Sequence, residues 1–384
     1  MTLHQLIDYD TLRVIWWALI GVLLVGFAVT DGFDLGTGML LPFAARTDLE
    51  RRVVINSVGP VWEGNQVWLI LGGGAVFAAW PQLYAVSFSG FYLAMFVILS
   101  ALILRPVAFK FRSKRPEAAW RARWDGVLFF SGLVPSLIFG VAVGNVLQGV
   151  PFRFTEDMHI LYEGSFFALL NPFALLCGLV SVAMLVMHGA SWLLLKTQGP
   201  VAERARRYGI VAALATIALY ALAGVVLAWF IGGYRITSVV DGIGPSDPMR
   251  KTVEAHAGAW LVNYAAQPWT LAAPAAGFIG ALGALLGLVL RRPLLALLSA
   301  ALGIAGIVLS VGASMFPFIL PSSIDSRASL TVWDSSSSHL TLFIMLVVTG
   351  FFIPIIVAYT SWVYHVLWGK VDEAAIRDET AHAY

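Results

Sequence analysis

The sequence predicts an all-α, polytopic membrane protein, a bundle of about nine transmembrane helices. Three observations carry that prediction. Apolar and aromatic residues make up 59% of the 384 positions. Asp, Glu, Lys and Arg together make only 12%, against about 25% in a soluble domain, too few to cover the surface that a soluble fold would expose. The apolar residues also gather into runs of the roughly 20 residues that a spanning helix requires. A cytosolic enzyme, a nucleic-acid binder and a disordered chain are excluded. No soluble stretch interrupts the runs, so 1–384 reads as a single integral membrane domain.

The runs lie near 12–43, 56–79, 83–108, 126–147, 166–195, 208–232, 266–290, 294–318 and 340–367. The first follows a ten-residue stretch with two Asp and no Lys or Arg. A cleaved signal peptide carries a positive n-region there, so this run is expected to stay in the mature protein. Its lower third, 31–38, is polar and glycine-rich. Gly72, Gly73 and Gly74 in the second run permit close helix approach. The eighth run ends at Pro317 and Pro321, and Ser335 to Ser338 offer caps for the ninth. Loops after odd-numbered runs, with the C-terminal tail, hold 18 Lys and Arg, while the opposite side holds 6. The positive-inside rule then puts the N-terminus outside and the C-terminus in the cytoplasm. The long outer loops 233–265 and 319–339 have room for a lid or a partner contact.

Charges inside spans cost at least about 2.5–3.5 kcal/mol at a helix centre, so they are the first functional candidates. Asp31, Asp34 and Glu63 qualify. By helical rise, Glu63 is expected roughly 10 Å into a span starting near Asn56, and Asp34 roughly 15 Å above the inner end of the first span. Asp31 and Asp34, three apart, share a helix face. Arg105, at the inner end of the third span, is the nearest candidate cation, and Asn65 and Gln66 add polarity beside Glu63. The functional reading is a proton path from the cytoplasm through carboxylates and water. The alternatives are interhelical hydrogen bonds for Asp31 and Asp34 and a buried interface ion pair for Glu63.

Histidine placement argues against a haem held by this chain. Of the seven, His4, His159, His188, His256, His339, His365 and His382, only His188 sits within a span and the rest lie in loops, tails or last turns, whereas bis-histidine ligation needs two facing residues at depth. The lone Cys177 excludes a disulfide framework, a CxxC zinc site and a Cys-ligated iron–sulfur cluster. No metal is expected.

Several long strings occur in a fixed order. They include Asp31-Gly32-Phe33-Asp34-Leu35-Gly36, Trp62-Glu63-Gly64-Asn65-Gln66-Val67-Trp68, Arg105-Pro106, Gly144-Asn145-Val146-Leu147-Gln148-Gly149, Gly258-Ala259-Trp260-Leu261-Val262-Asn263 and Met315-Phe316-Pro317-Phe318. Through them the chain resembles, from end to end, subunit II of the cytochrome bd-type quinol oxidases of bacterial inner membranes. The resemblance implies two four-helix bundles plus one peripheral helix. It implies a complex that oxidises ubiquinol, reduces dioxygen to water and builds a proton-motive force without pumping. Two b-type haems and one d-type haem are expected in subunit I, together with the chemistry; subunit II is the haem-free partner that supports their assembly. A small single-helix accessory subunit, membrane lipid and a structural ubiquinone are further expectations. Residue by residue, Glu63 matches an acidic position implicated in proton uptake, and Trp68 a tryptophan near a proposed oxygen path. A proton-coupled transporter using Asp31, Asp34 and Glu63 is the alternative, and a purely structural scaffold a third reading.

Overall fold

The computed structural model describes residues 6–240, 242–371 and 376; His4, Arg377 and His382 lie outside the described residues. The long helices are α1 (Tyr9–Ala44), α3 (Trp62–Ala79), α5 (Tyr92–Phe111), α6 (Ala118–Gln148), α7 (Pro172–Lys196), α8 (Gly199–Trp229), α10 (Ala272–Val289), α11 (Pro293–Met315) and α12 (His339–Val366). Shorter helices are α2 (Asp48–Val58), α4 (Pro81–Gly90) and α9 (Val262–Ala266). Among the described residues, eight helices are long and apolar enough to cross a membrane: α1, α5 to α8, and α10 to α12. The remaining long helix, α3, has 18 residues. That corresponds to about 27 Å, close to the thickness of a hydrocarbon core, but its first turns carry Glu63, Asn65 and Gln66.

Two expected spans are broken helices. The run 56–79 covers the end of α2, a turn at 59–61, and then α3. Pro60 has no N–H for the carbonyl of Asn56, and its ring collides with that carbonyl, so one helix cannot run through. Glu63 therefore lies in the first turn of α3, not two turns into a longer helix. The run 83–108 is divided between α4 and α5 at Phe91. There Gly90 sits beneath the Tyr162 ring, and a Cβ would approach it to 2.7 Å. At the other end of the scale, α6 and α8 begin eight or nine residues before the apolar runs. In α8 the helix continues through Glu203 and Arg206, paired at 2.7 Å one turn apart.

Helices α1, α3, α5 and α6 pack as one group, and α7, α8, α10 and α11 as a second, joined where α1 meets α7 and α11 and α6 meets α7. Helix α12 lies at the edge against α1 and α3, with Leu342 its only buried residue. The seam between the groups is tight because Gly36 of α1 and Gly189 of α7 face one another, each without room for a Cβ against the other's backbone.

Three small antiparallel ribbons sit at the end of the bundle that carries the N-terminus of α1: β1 (Phe152–Phe154) with β2 (Ile160–Tyr162), β3 (Gly232–Ile236) with β4 (Val253–Ala257), and β5 (Phe318–Leu320) with β6 (Leu330–Thr331). They are small additions to the helical bundle that the sequence predicts. The two long loops are tied down here rather than left as open flaps. The buried Arg13 donates to Ser336 Oγ at 2.7 Å, to the Gly242 carbonyl at 2.6 Å and to Ser246 Oγ at 3.1 Å. Lys251 pairs with Asp334 at 2.7 Å, and burial pushes its ammonium below the usual lysine range. The opposite end is rich in arginine. Arg112 bridges Asp125 at 2.5 Å and Asp48 at 3.0 Å, and Arg51 reaches Asp125 at 2.8 Å.

Candidate functional site

The polar stretch of α1 is held on two sides by helix packing. Gly36 abuts α7, while Gly38 lies against the Leu128 carbonyl of α6, where a Cβ would come to 3.0 Å. With those faces occupied, Asp31 and Asp34 point together toward α3 and α5, at 0% and 3% exposure. Arg105 enters from α5. One nitrogen, Nη1, lies 2.8 Å from Asp31 Oδ1 and 3.1 Å from Oδ2, and Nη2 lies 3.6 Å from Asp34 Oδ2. The guanidinium carbon stands 5.4 Å from the ring centre of Trp62, within cation–π range. From α3, Asn65 Nδ2 donates to Asp34 Oδ2 at 2.7 Å. From α12, the Tyr364 hydroxyl donates to Asn65 Oδ1 at 2.6 Å. That bond fixes the amide so that its NH₂ faces Asp34. Four helices thus supply one closed cluster: two carboxyl groups, one guanidinium, one amide and one phenol.

Glu63 is not in this cluster. It is exposed, on a stripe of α3 that continues through Val67, Ile70, Gly74 and Phe77, with the four-then-three spacing of a single helix face. Gln66 is half-buried beside it. Trp68 lies on the opposite side of the helix, its ring laid over Gly26 of α1, where a Cβ would approach to 2.8 Å; it packs beside Phe27, Leu35 and Ile98. The structure therefore brings Asp31, Asp34, Arg105 and Asn65 together and leaves Glu63, Gln66 and Trp68 outside.

His188 is buried, with Nε2 2.8 Å from the Val29 carbonyl; that oxygen only accepts, so Nε2 carries the proton. Among the described residues no group of three or more His, Cys, Asp or Glu is placed to hold a metal ion. Sequence reasoning missed Tyr364, through which α12 reaches the cluster. A tyrosine among aromatic neighbours near a helix end reads as an interfacial residue, and nothing in its spacing points to Asn65, 299 positions away.

The profile of the family described as cytochrome bd terminal oxidase subunit II matches residues 12–367. The chain is 48% identical over 379 residues to the cytochrome bd-I ubiquinol oxidase subunit 2 of Escherichia coli (strain K12), covering 99% of this chain and all of that one. It is 31% identical over 369 residues to the cytochrome bd ubiquinol oxidase subunit 2 of Bacillus subtilis (strain 168), covering 94% and 97%. The fold is shared with a chain of the bd oxidase structure from Geobacillus thermodenitrificans, at a TM-score of 0.69 and 16% identity over 93% of this chain and 98% of that one. By its near-complete match in sequence, this chain belongs to the cytochrome bd terminal oxidase subunit II family.

Proposed function

We propose that the chain is the haem-free subunit of a cytochrome bd-type ubiquinol oxidase in a bacterial inner membrane, pairs there with a haem-bearing subunit I, and carries protons toward it from the cytoplasm. The names of the relatives support the assignment to a quinol oxidase and imply a first subunit. In this reading the two b-type haems and the d-type haem reside in subunit I and supply electron transfer from quinol to dioxygen. The present chain helps assemble that core. The 18-to-6 distribution of Lys and Arg supports a cytoplasmic arginine-rich end and a periplasmic N-terminus. A small accessory helix completes the complex.

The observation that carries the proton reading is a buried cluster with two carboxyl groups and one cation. One guanidinium balances one carboxylate, and a second bare charge at 0–3% exposure would be costly. The cluster therefore holds a proton that it can exchange. Glu63 faces outward at the arginine-rich end of α3. Lipid is a poor neighbour for a carboxylate, which favours a protein or water partner on that stripe. In this arrangement Glu63 serves the junction with subunit I, while Asp31 and Asp34 store charge behind it. The half-buried side of α3 around Trp68 is the proposed flank of an oxygen path.

Purification of this chain from its native membrane in mild detergent, followed by a reduced-minus-oxidised visible spectrum, tests the assignment. Bands of b- and d-type haem together with a second large membrane subunit are expected. A colourless preparation without a partner would overturn it and favour a transporter built on the same acids.

A further inference from the structure

We propose that Asp34, Thr37 and Arg105 seat an internal water molecule between α1, α5 and α6, and that this water exchanges protons with Asp34 from the side of α2. A cavity of about 20 Å³ lies there, above the roughly 10–15 Å³ that one water needs. Its polar walls are Asp34, Thr37, Arg105 and Ser131, and Val54 and Val58 of α2 close the end toward the arginine-rich surface.

Three of these residues have a buried atom that makes no hydrogen bond within the protein: Asp34 Oδ1, Thr37 Oγ1 and Arg105 Nη2. Their chemistry is complementary to one water, which would accept from Arg105 Nη2, bond the Thr37 hydroxyl, and donate to Asp34 Oδ1 when that carboxyl is ionised or accept from it when it is protonated. Three partners lie within the usual range of two to four for an internal water.

Thr37 is the telling residue. A hydroxyl in a helix ordinarily bonds back to its own carbonyl ladder, and its neighbours do so. Thr30 donates to the Gly26 carbonyl at 2.7 Å, Ser131 to Leu128 at 2.9 Å and Ser136 to Gly132 at 2.6 Å. Thr37 has the same option and does not take it. Asp34 and Thr37 stand three apart on α1, on one face, so the free hydroxyl and the free carboxyl oxygen address the same space. Since Glu63 is on the outer stripe of α3, a proton arriving through this water reaches Asp34 without passing Glu63.

The seat follows from geometry alone, whereas its role as a proton carrier rests on the proton reading above. The test uses the intact purified complex with Thr37→Val, which keeps the shape and removes the hydroxyl, and Thr37→Ser as the conservative control. Asp34→Asn identifies the Asp34 carboxyl band in infrared difference spectra taken in H₂O and D₂O. The proposal expects Thr37→Val to shift that band and abolish its fast deuterium exchange with haem content unchanged, and Thr37→Ser to restore both. A wild-type band and exchange rate in Thr37→Val would overturn it, as would a density map that resolves ordered waters and shows none bridging Asp34 and Thr37. Full turnover by Asp34→Asn with haem intact would instead defeat the proton reading, and the seat would then be decided by the response of the Asp34 band to Thr37→Val alone.

Discussion

Among the described residues Arg105 is the one cation in contact with the two buried carboxyl groups, and its removal leaves the ionised one uncompensated. Arg105→Met is expected to destabilise the subunit by about 3–5 kcal/mol, the range for breaking a buried pair from one side. Thermal unfolding of the purified complex checks this, and Asp31→Asn added to Arg105→Met should recover part of the loss. An unchanged melting temperature would mean that water already solvates the site. Tyr364→Phe removes one hydrogen bond and is expected to cost about 1 kcal/mol, while freeing the Asn65 amide to turn. These roles differ in how far the sequence reveals them. Asp31, Asp34 and Arg105 stand out because an apolar span makes each charge expensive. Tyr364 and Thr37 do not, because a hydroxyl in a helix has an inexpensive partner in its own backbone. The outward direction of Glu63 was equally hidden: its neighbours Trp62 and Asn65 are buried, and which face is inside depends on where α1 and α12 pack.

At the scale of the element, α2 shows how a short helix is fixed between two spans. Thr47 Oγ1 accepts from the Glu50 backbone N–H at 3.2 Å, and Glu50 Oε2 accepts in return from Thr47 N–H at 3.1 Å and from Arg46 N–H at 2.7 Å. Arg204 of α8 adds a bond to Glu50 Oε1 at 2.5 Å. Burial raises the affinity of the Glu50 carboxyl for a proton, but the Arg46 N–H, the Arg204 guanidinium and the Thr47 N–H together hold it below the usual glutamate value. A depressed carboxylate stabilises the fold above its ordinary titration range and ceases to do so as pH falls through the depressed value. The wild-type complex is therefore expected to lose thermal stability on acidification more steeply than Glu50→Gln; parallel curves would remove Glu50 from the account. Thr47→Ala should cost about 1 kcal/mol at neutral pH. The helix start is legible in Thr47 and Glu50, three apart. The break after it is legible in Pro60, although a window of hydropathy passes over a single proline and joins α2 to α3.

For the whole molecule, the two groups of four helices and the peripheral α12 follow from nine apolar runs joined in order, but the hydropathy pattern does not say which faces meet. The proposed function puts the stripe of Glu63, Val67, Ile70, Gly74 and Phe77 against subunit I, with Ile70 at its centre and 70% exposed. Ile70→Trp is expected to reduce co-purification of the partner, because a packed interface rejects added volume that lipid accepts; undiminished recovery of subunit I would move the interface elsewhere. The central claim is that protons for oxygen reduction pass through this subunit. The most direct test is a single-turnover experiment on the reduced, vesicle-reconstituted complex, following haem oxidation together with a pH indicator on the side of the arginine-rich end. With haem content matched to wild type, Glu63→Gln is expected to slow proton uptake and the final oxidation step together. Uptake and oxidation at wild-type rates in Glu63→Gln and in Asp34→Asn would contradict the account and leave this chain a scaffold.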